Sequence, residues 1–216
     1  MLLRSVNNII IITFVWILFF ILYFYIMNNE QKYWNDFYKK FDLSESSNFS
    51  KYILNYFSLK NDENLKLLDS GCGNGRDSYF LSSKFYVTGV DNAFKPENKK
   101  NCNFILDDFI SYNKDNFDII YSRFTFHSIT NEEHSKFLKS ITKPNTYLCI
   151  ETRSDRDIKN KRFHGDEHYR NFTNLEYLIN LLKEHNFKIL FSAESNGFSI
   201  YKDEDPICIR VICRKI

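Results

Sequence analysis

The stretch from Lys66 to Asp91, KLLDSGCGNGRDSYFLSSKFYVTGVD, constrains the fold more than any other part of the chain. Leu67 and Leu68 open a short apolar run of the kind a buried strand shows. Glycine then falls at every second position, at Gly71, Gly73 and Gly75. Residues 76–83 can form a helix, and residues 85–90 are β-prone and close on Asp91. The unit reads as strand, glycine turn, helix, strand. Glycines in such a turn let backbone N–H groups approach a ligand where a side chain would stand in the way. An acid about 20 residues on, at the end of the next strand, is placed to hold ribose hydroxyls. A ligand containing a nucleoside is expected here.

Beyond Asp91 strands and helices alternate. Residues 103–106, 117–121, 147–150, 187–192 and 206–213 read as strands. Residues 131–141 read as a helix capped by Thr130, and residues 174–185 as a helix capped by Thr173 with Leu175, Leu178, Leu181 and Leu182 on one face. Residues 154–172 are charged and aperiodic, and read as a long loop. Alternation of this kind predicts a mostly parallel sheet with helices on both faces. Ligands on such sheets bind at the carboxyl ends of the strands. One connection is unusual. Only 11 residues, Pro96 among them, separate Asp91 from Asn103. A parallel crossover normally takes a dozen or more, so one face of the sheet should be thin there.

The glycine spacing narrows the ligand. A dinucleotide site takes G-x-G-x-x-G, whereas this chain has G-x-G-x-G led by Asp69. An acid there suits a ligand with a cation to neutralise and repels a pyrophosphate. That argues against a nicotinamide oxidoreductase. Asp69-x-Gly71-x-Gly73-x-Gly75, then Asp91, then Asp108-Phe109, resemble the three cofactor motifs of the class I S-adenosylmethionine-dependent methyltransferases, over about residues 30–216. The resemblance implies a Rossmann-like, doubly wound α/β fold with a seven-stranded sheet and a terminal antiparallel strand. It implies S-adenosyl-L-methionine as cofactor. Gly71, Gly73 and Gly75 would then cradle the methionine moiety, with Asp69 behind them near its amino end. Asp91 would accept the ribose hydroxyls. Asp108 would take the adenine amino group, and the N–H of Phe109 would face the ring.

A second feature precedes the domain. Residues 9–27, IIIITFVWILFFILYFYIM, carry no charge. As a helix they would span about 28 Å, close to a bilayer core. The segment that follows has no small-residue cleavage pattern, so a retained single-pass anchor is expected rather than a signal peptide. Lys32, Lys39 and Lys40 after the span outnumber Arg4 before it, which favours a cytosolic catalytic domain. The expected layout is an anchor over 1–28, a helical lid or cap over 29–62 and the methyltransferase domain over 63–216. Tyr33, Trp34, Phe37 and Tyr38 form one aromatic stripe, and Phe49, Tyr52, Ile53 and Tyr56 another.

The acceptor side is less marked. The Asn-Pro-Pro-aromatic run of many nitrogen methylases is missing after the fourth strand, where the chain reads SRFTFHSI from Ser122. His127 is a candidate general base, and Glu151, at the end of the fifth strand, is a second. Arg123, Arg153, His168, Tyr169 and Arg170 are candidate acceptor-binding residues, the arginines because a guanidinium matches phosphate or carboxylate. Residues 121–129, the His168-Tyr169-Arg170 run and Glu204-Asp205-Pro206 also resemble methyltransferases found with surface-polysaccharide and glycoconjugate genes. That implies a sugar or phospho-sugar hydroxyl as acceptor. The alternatives are a small-molecule methyltransferase similar to those acting on tellurite or thiols, and an inactive cofactor-binding scaffold at a membrane. A net charge of +2 gives no support for nucleic-acid binding. No Cys/His group has zinc spacing, so no metal is expected, and the five scattered cysteines read as reduced thiols.

Overall fold

The computed structural model describes residues 31–38, 44–59, 64–157, 170–201 and 204–216. The expected anchor over residues 9–27 lies outside them. Among the described residues, no helix is long and apolar enough to cross a membrane.

Helix α1 covers residues 31–38 and α2 covers Asn48–Ser58. Then come β1 (Lys66–Ser70), α3 (Arg76–Leu81), β2 (Tyr86–Asp91), β3 (Cys102–Leu106) and β4 (Ile119–Arg123). A 3₁₀ turn at Phe126–Ser128 leads into α4 (Asn131–Lys139), β5 (Tyr147–Arg153), α5 (Leu175–Glu184), β6 (Phe187–Ser195) and β7 (Cys208–Lys215). The seven strands form one sheet in the order β3-β2-β1-β4-β5-β7-β6. β1 to β5 run parallel, and β7 pairs antiparallel with both β5 and β6. The expected α/β sheet with its terminal antiparallel strand is therefore present.

Period-two alternation explains the two layers. Leu67, Ile119, Tyr121 and Ile212 face one side, with Phe49, Ile53 and Phe57 of α2 and Leu81 of α3. Leu68, Ile120, Leu148, Ile150 and Val211 face the other, with Phe137 and Leu138 of α4 and Leu178 and Leu182 of α5. The aromatic stripe of α2 is thus a core face. Phe49, Ile53 and Phe57 are fully buried, and the body of the domain begins before residue 63. The thin place is also found, since no helix joins β2 to β3.

Two caps differ in outcome. Thr130 makes a full capping box with Glu133 at the start of α4, worth about 1 kcal/mol. Helix α5 is capped by Asn174, whose side chain accepts from the Tyr177 N–H. Thr173 instead joins the end of β5, its N–H donating to the Arg153 carbonyl at 3.0 Å. That pairing pins part of the stretch expected to be a loop against the sheet.

Candidate active site

The carboxyl ends of β1, β2 and β4 open on one cavity of about 810 Å³. It sits where the connection from β1 goes to β2 on one side and the neighbour on the other is β4, the place a doubly wound sheet offers a ligand.

Gly71, Gly73 and Gly75 all have positive φ, which side chains resist. Space forbids side chains as well. A Cβ on Gly75 would stand 2.6 Å from the Phe104 ring, and one on Gly73 would overlap the ring of Tyr38. The loop is closed from below by the Gly71 and Cys72 N–H groups, which donate to the Val90 carbonyl at 2.8 and 3.1 Å.

Two buried carboxylates face this loop. Asp69, at the end of β1, accepts from the Ser78 hydroxyl at 2.6 Å. Burial lifts its pKa from 3.8 to about 7, against the pull of that hydrogen bond, and the neighbouring Asp77 and Asp91 add to the rise. Asp91, at the end of β2, accepts from the N–H groups of Gly73 at 2.9 Å, Ala93 at 2.9 Å and Phe94 at 3.2 Å. Burial raises its pKa too, while the three amides oppose the rise. Neither carboxylate forms an ion pair among the described residues.

Asp77 was not singled out by the sequence, yet it is the knot of the cavity wall. It accepts from the Ser47 N–H and hydroxyl and from the Tyr121 hydroxyl, each at 2.7 Å. Burial alone would raise its pKa, but Arg123, the Ser47 donors and Arg76 hold it below 3.8. The knot ties the start of α2 to α3 and β4. Tyr38 of α1 covers the glycine loop from above, and burial, then Asp91, push its hydroxyl pKa well up.

The far wall is basic. Arg123 Nε donates to Glu151 at 2.9 Å and its Nη2 to the Ser199 hydroxyl at 2.9 Å. Arg210 Nε takes the other Glu151 oxygen at 2.7 Å. Phe124 follows Arg123 with φ 62, a conformation uncommon for a bulky residue and costing about 1–3 kcal/mol. It places the ring under the Arg123 guanidinium, 4.2 Å from the centroid. The same turn brings His127 into the cavity wall. His127 Nδ1 accepts from the Arg153 N–H at 3.4 Å, which leaves the proton of a neutral ring on Nε2.

A family model described as "Methyltransferase domain" matches residues 46–191. The chain belongs to the class I S-adenosylmethionine-dependent methyltransferases. Solved structures share the fold. The 1,6-didemethyltoxoflavin-N1-methyltransferase of Burkholderia thailandensis, solved with S-adenosylhomocysteine, is 17% identical, with a TM-score of 0.59 over 77% of this chain and 76% of that one. An S-adenosylmethionine-dependent methyltransferase of Methanosarcina mazei is 19% identical, with a TM-score of 0.57 over 74% of this chain and 97% of that one. The magnesium protoporphyrin IX methyltransferase of Synechocystis is 13% identical, with a TM-score of 0.56 over 76% of this chain and 80% of that one. A comparison with curated proteins finds no match.

The residues of this methyltransferase fit its cofactor, S-adenosyl-L-methionine. Three glycines leave backbone room, one unpaired buried carboxylate suits a cationic end, and a second stands at a strand end for hydroxyls. Phe109 lines the cavity beside Gly71, its ring 3.8 Å from where a Cβ on that glycine would stand. Two of the expected residues are placed elsewhere. Asp108 does not line the cavity. Its carboxylate caps the next turn, accepting from the Ile110 and Ser111 N–H groups and the Ser111 hydroxyl. Glu151 does not line the cavity either. It is fully buried, and both its oxygens are held by arginines. Arg123, Arg153 and Arg170 all line the cavity. His168 and Tyr169 lie outside the described residues.

Proposed function

We propose that this methyltransferase acts on an oxygen of a small polar acceptor, of sugar or glycoconjugate type, beside the membrane that holds its N-terminus. The observation that carries the acceptor class is the division of the cavity. Its glycine side has the features a cofactor needs, and its other side presents Arg123, His127, Arg153 and Ser199, a wall suited to hydrogen-bonding oxygen. The anchor rests on the uncharged run over residues 9–27, and a cytosolic domain would sit where the cofactor is made.

S-adenosylmethionine supplies an electrophilic methyl group on a sulfonium. The chain's own work is alignment and exclusion of water. Gly71, Gly73 and Gly75 would seat the methionine portion, Asp69 its cationic end and Asp91 the ribose hydroxyls. Tyr38 closes over the loop and shields it from solvent. His127, with its ring fixed by the Arg153 amide, would orient the acceptor oxygen. Holding two reactants in line is by itself worth about 7–11 kcal/mol of barrier.

The test is to give the full-length chain and a methyl-labelled cofactor to fractions of a cell lysate. Label should enter glycan or glycolipid. Entry only into small thiols, with a His127→Ala chain as active as the native one, would refute the oxygen reading in favour of thiol methylation. Calorimetry with S-adenosylhomocysteine checks the cofactor site independently.

A further inference from the structure

Arg170 is a cationic part of the cavity wall that the reading above leaves without work. It lines the cavity, and its Nε and Nη1 are buried with no hydrogen-bond partner among the described residues. Its position is not left to a loose loop. The next residue, Asn171, donates its N–H to the His127 carbonyl at 2.7 Å. The Asn171 side-chain amide also donates to the Ile129 carbonyl at 3.0 Å and to the Asn131 side chain at 2.8 Å. Two residues on, Thr173 is paired with β5.

Charge does not balance at this end of the cavity. Glu151 is shared by Arg123 and Arg210, and Glu204 is paired with Arg153 at 3.1 Å. With Arg170 added, four guanidiniums meet two carboxylates among the described residues. Asp77 is influenced by Arg123 and then by Arg76, and with that pair counted five guanidiniums meet three carboxylates. Arginine stays ionised in proteins, and buried N–H donors of a half-buried guanidinium without acceptors are costly. Burial and then the nearby Arg153 lower the Arg170 pKa, while Tyr33 and Glu204 oppose the fall.

Resting on the methyltransferase reading, we infer that the acceptor is an anion, a molecule bearing a carboxylate or a phosphate, and that Arg170 is its anchoring cation. Phosphate and carboxylate share the chemistry a guanidinium recognises, namely oxygens that accept charge-assisted hydrogen bonds. The inference also bears on proton removal. Glu151 is committed to two arginines, and His127 Nδ1 to a backbone amide. If the receiving oxygen belongs to the ionised group, no base is required. The oxygen lone pair forms the C–O bond as the C–S bond breaks, its electron pair stays on sulfur, and the sulfonium becomes a neutral thioether.

The experiment uses the full-length chain in detergent micelles. Sodium phosphate and sodium malonate are titrated against it by calorimetry at constant ionic strength held with sodium chloride. The same titrations are made on Arg170→Met and Arg170→Gln, and on Arg156→Met as a control, since Arg156 is 72% exposed and pairs with Glu194 outside the cavity. At least one anion should bind saturably to the native and Arg156→Met chains, and lose about tenfold or more in affinity in both Arg170 variants. Non-specific salting acts on all chains alike. Binding of phosphate alone assigns a phosphorylated acceptor, and binding of malonate alone a carboxylate. S-adenosylhomocysteine affinity, measured on every chain, shows that the variants are folded. Failure of both anions to bind while S-adenosylhomocysteine binds overturns the anion site. Unchanged anion affinity in either folded Arg170 variant overturns it too. Anion binding without any S-adenosylhomocysteine binding overturns the methyltransferase reading, and with it the assignment of the anion to an acceptor.

Discussion

Replacing Asp69 by Asn should make the empty protein more stable and the cofactor bind worse. Asp69 is 2% exposed and, among the described residues, has one hydrogen-bond donor, the Ser78 hydroxyl. Its pKa rises from 3.8 to about 7 on folding. The sign follows from linkage. Between pH 3.8 and 7 the folded chain holds a proton that the unfolded chain has lost, so stability falls as pH rises through this window. A rise of that size, at about 1.36 kcal/mol per pH unit, costs about 4 kcal/mol above pH 7. Asparagine keeps an oxygen for Ser78 and carries no charge, so it escapes the cost. Urea unfolding of both full-length chains in detergent, at pH 4 to 8, reads the difference. The variant should match the native chain near pH 4 and exceed it by several kcal/mol at pH 8, while its affinity for S-adenosylhomocysteine falls at least about tenfold. Equal stability of the two chains at pH 8 would refute the reasoning, because the carboxylate would then be at ease in its site. Unchanged affinity would remove Asp69 from the cofactor's cationic end.

Asp77→Ala leaves the Ser47 and Tyr121 donors without their acceptor and should cost about 3–5 kcal/mol by denaturant unfolding. Because the folded pKa of Asp77 lies below 3.8, its contribution is present above that pH and lost on further acidification, and the acid limb of the native stability curve should flatten in Asp77→Asn. Lys114 is fully buried and donates to the Phe109, Ile110 and Tyr112 carbonyls; Lys114→Met should destabilise by about 2 kcal/mol or more and weaken S-adenosylhomocysteine binding through the Phe109 turn. Burial pulls its pKa from 10.5 to about 8, so native stability should rise between those values, and the rise should vanish in the variant. Gly75→Ala sets a Cβ 2.6 Å from Phe104 at φ +76 and should cost about 2–4 kcal/mol, read as a lowered unfolding midpoint.

Local chemistry made much of this protein legible in one dimension. Glycine at every second position after Asp69 admits few backbones, and strand-end acids follow from the strand pattern. Leu67 and Leu68 on opposite faces, and the Thr130 capping box, are likewise set by neighbours in the chain. What the sequence could not decide is where long-range partners spend a side chain. Asp108 and Asp91 look alike as strand-end acids, but only Asp91 turns to the cavity, because the Ile110 and Ser111 amides take Asp108. Glu151 reads as a free base until Arg210, on the antiparallel strand β7, arrives from 59 residues away. Asp77 is an ordinary first-turn acid until Ser47 and Tyr121 converge on it from 30 and 44 residues away. Arg170 becomes an anion site only when Asn171 clamps its segment to His127. The cofactor half is written in adjacent residues because a glycine loop is a local structure. The acceptor half is assembled by tertiary contacts, which fix each charge by what lies across the sheet rather than by what lies beside it in the chain.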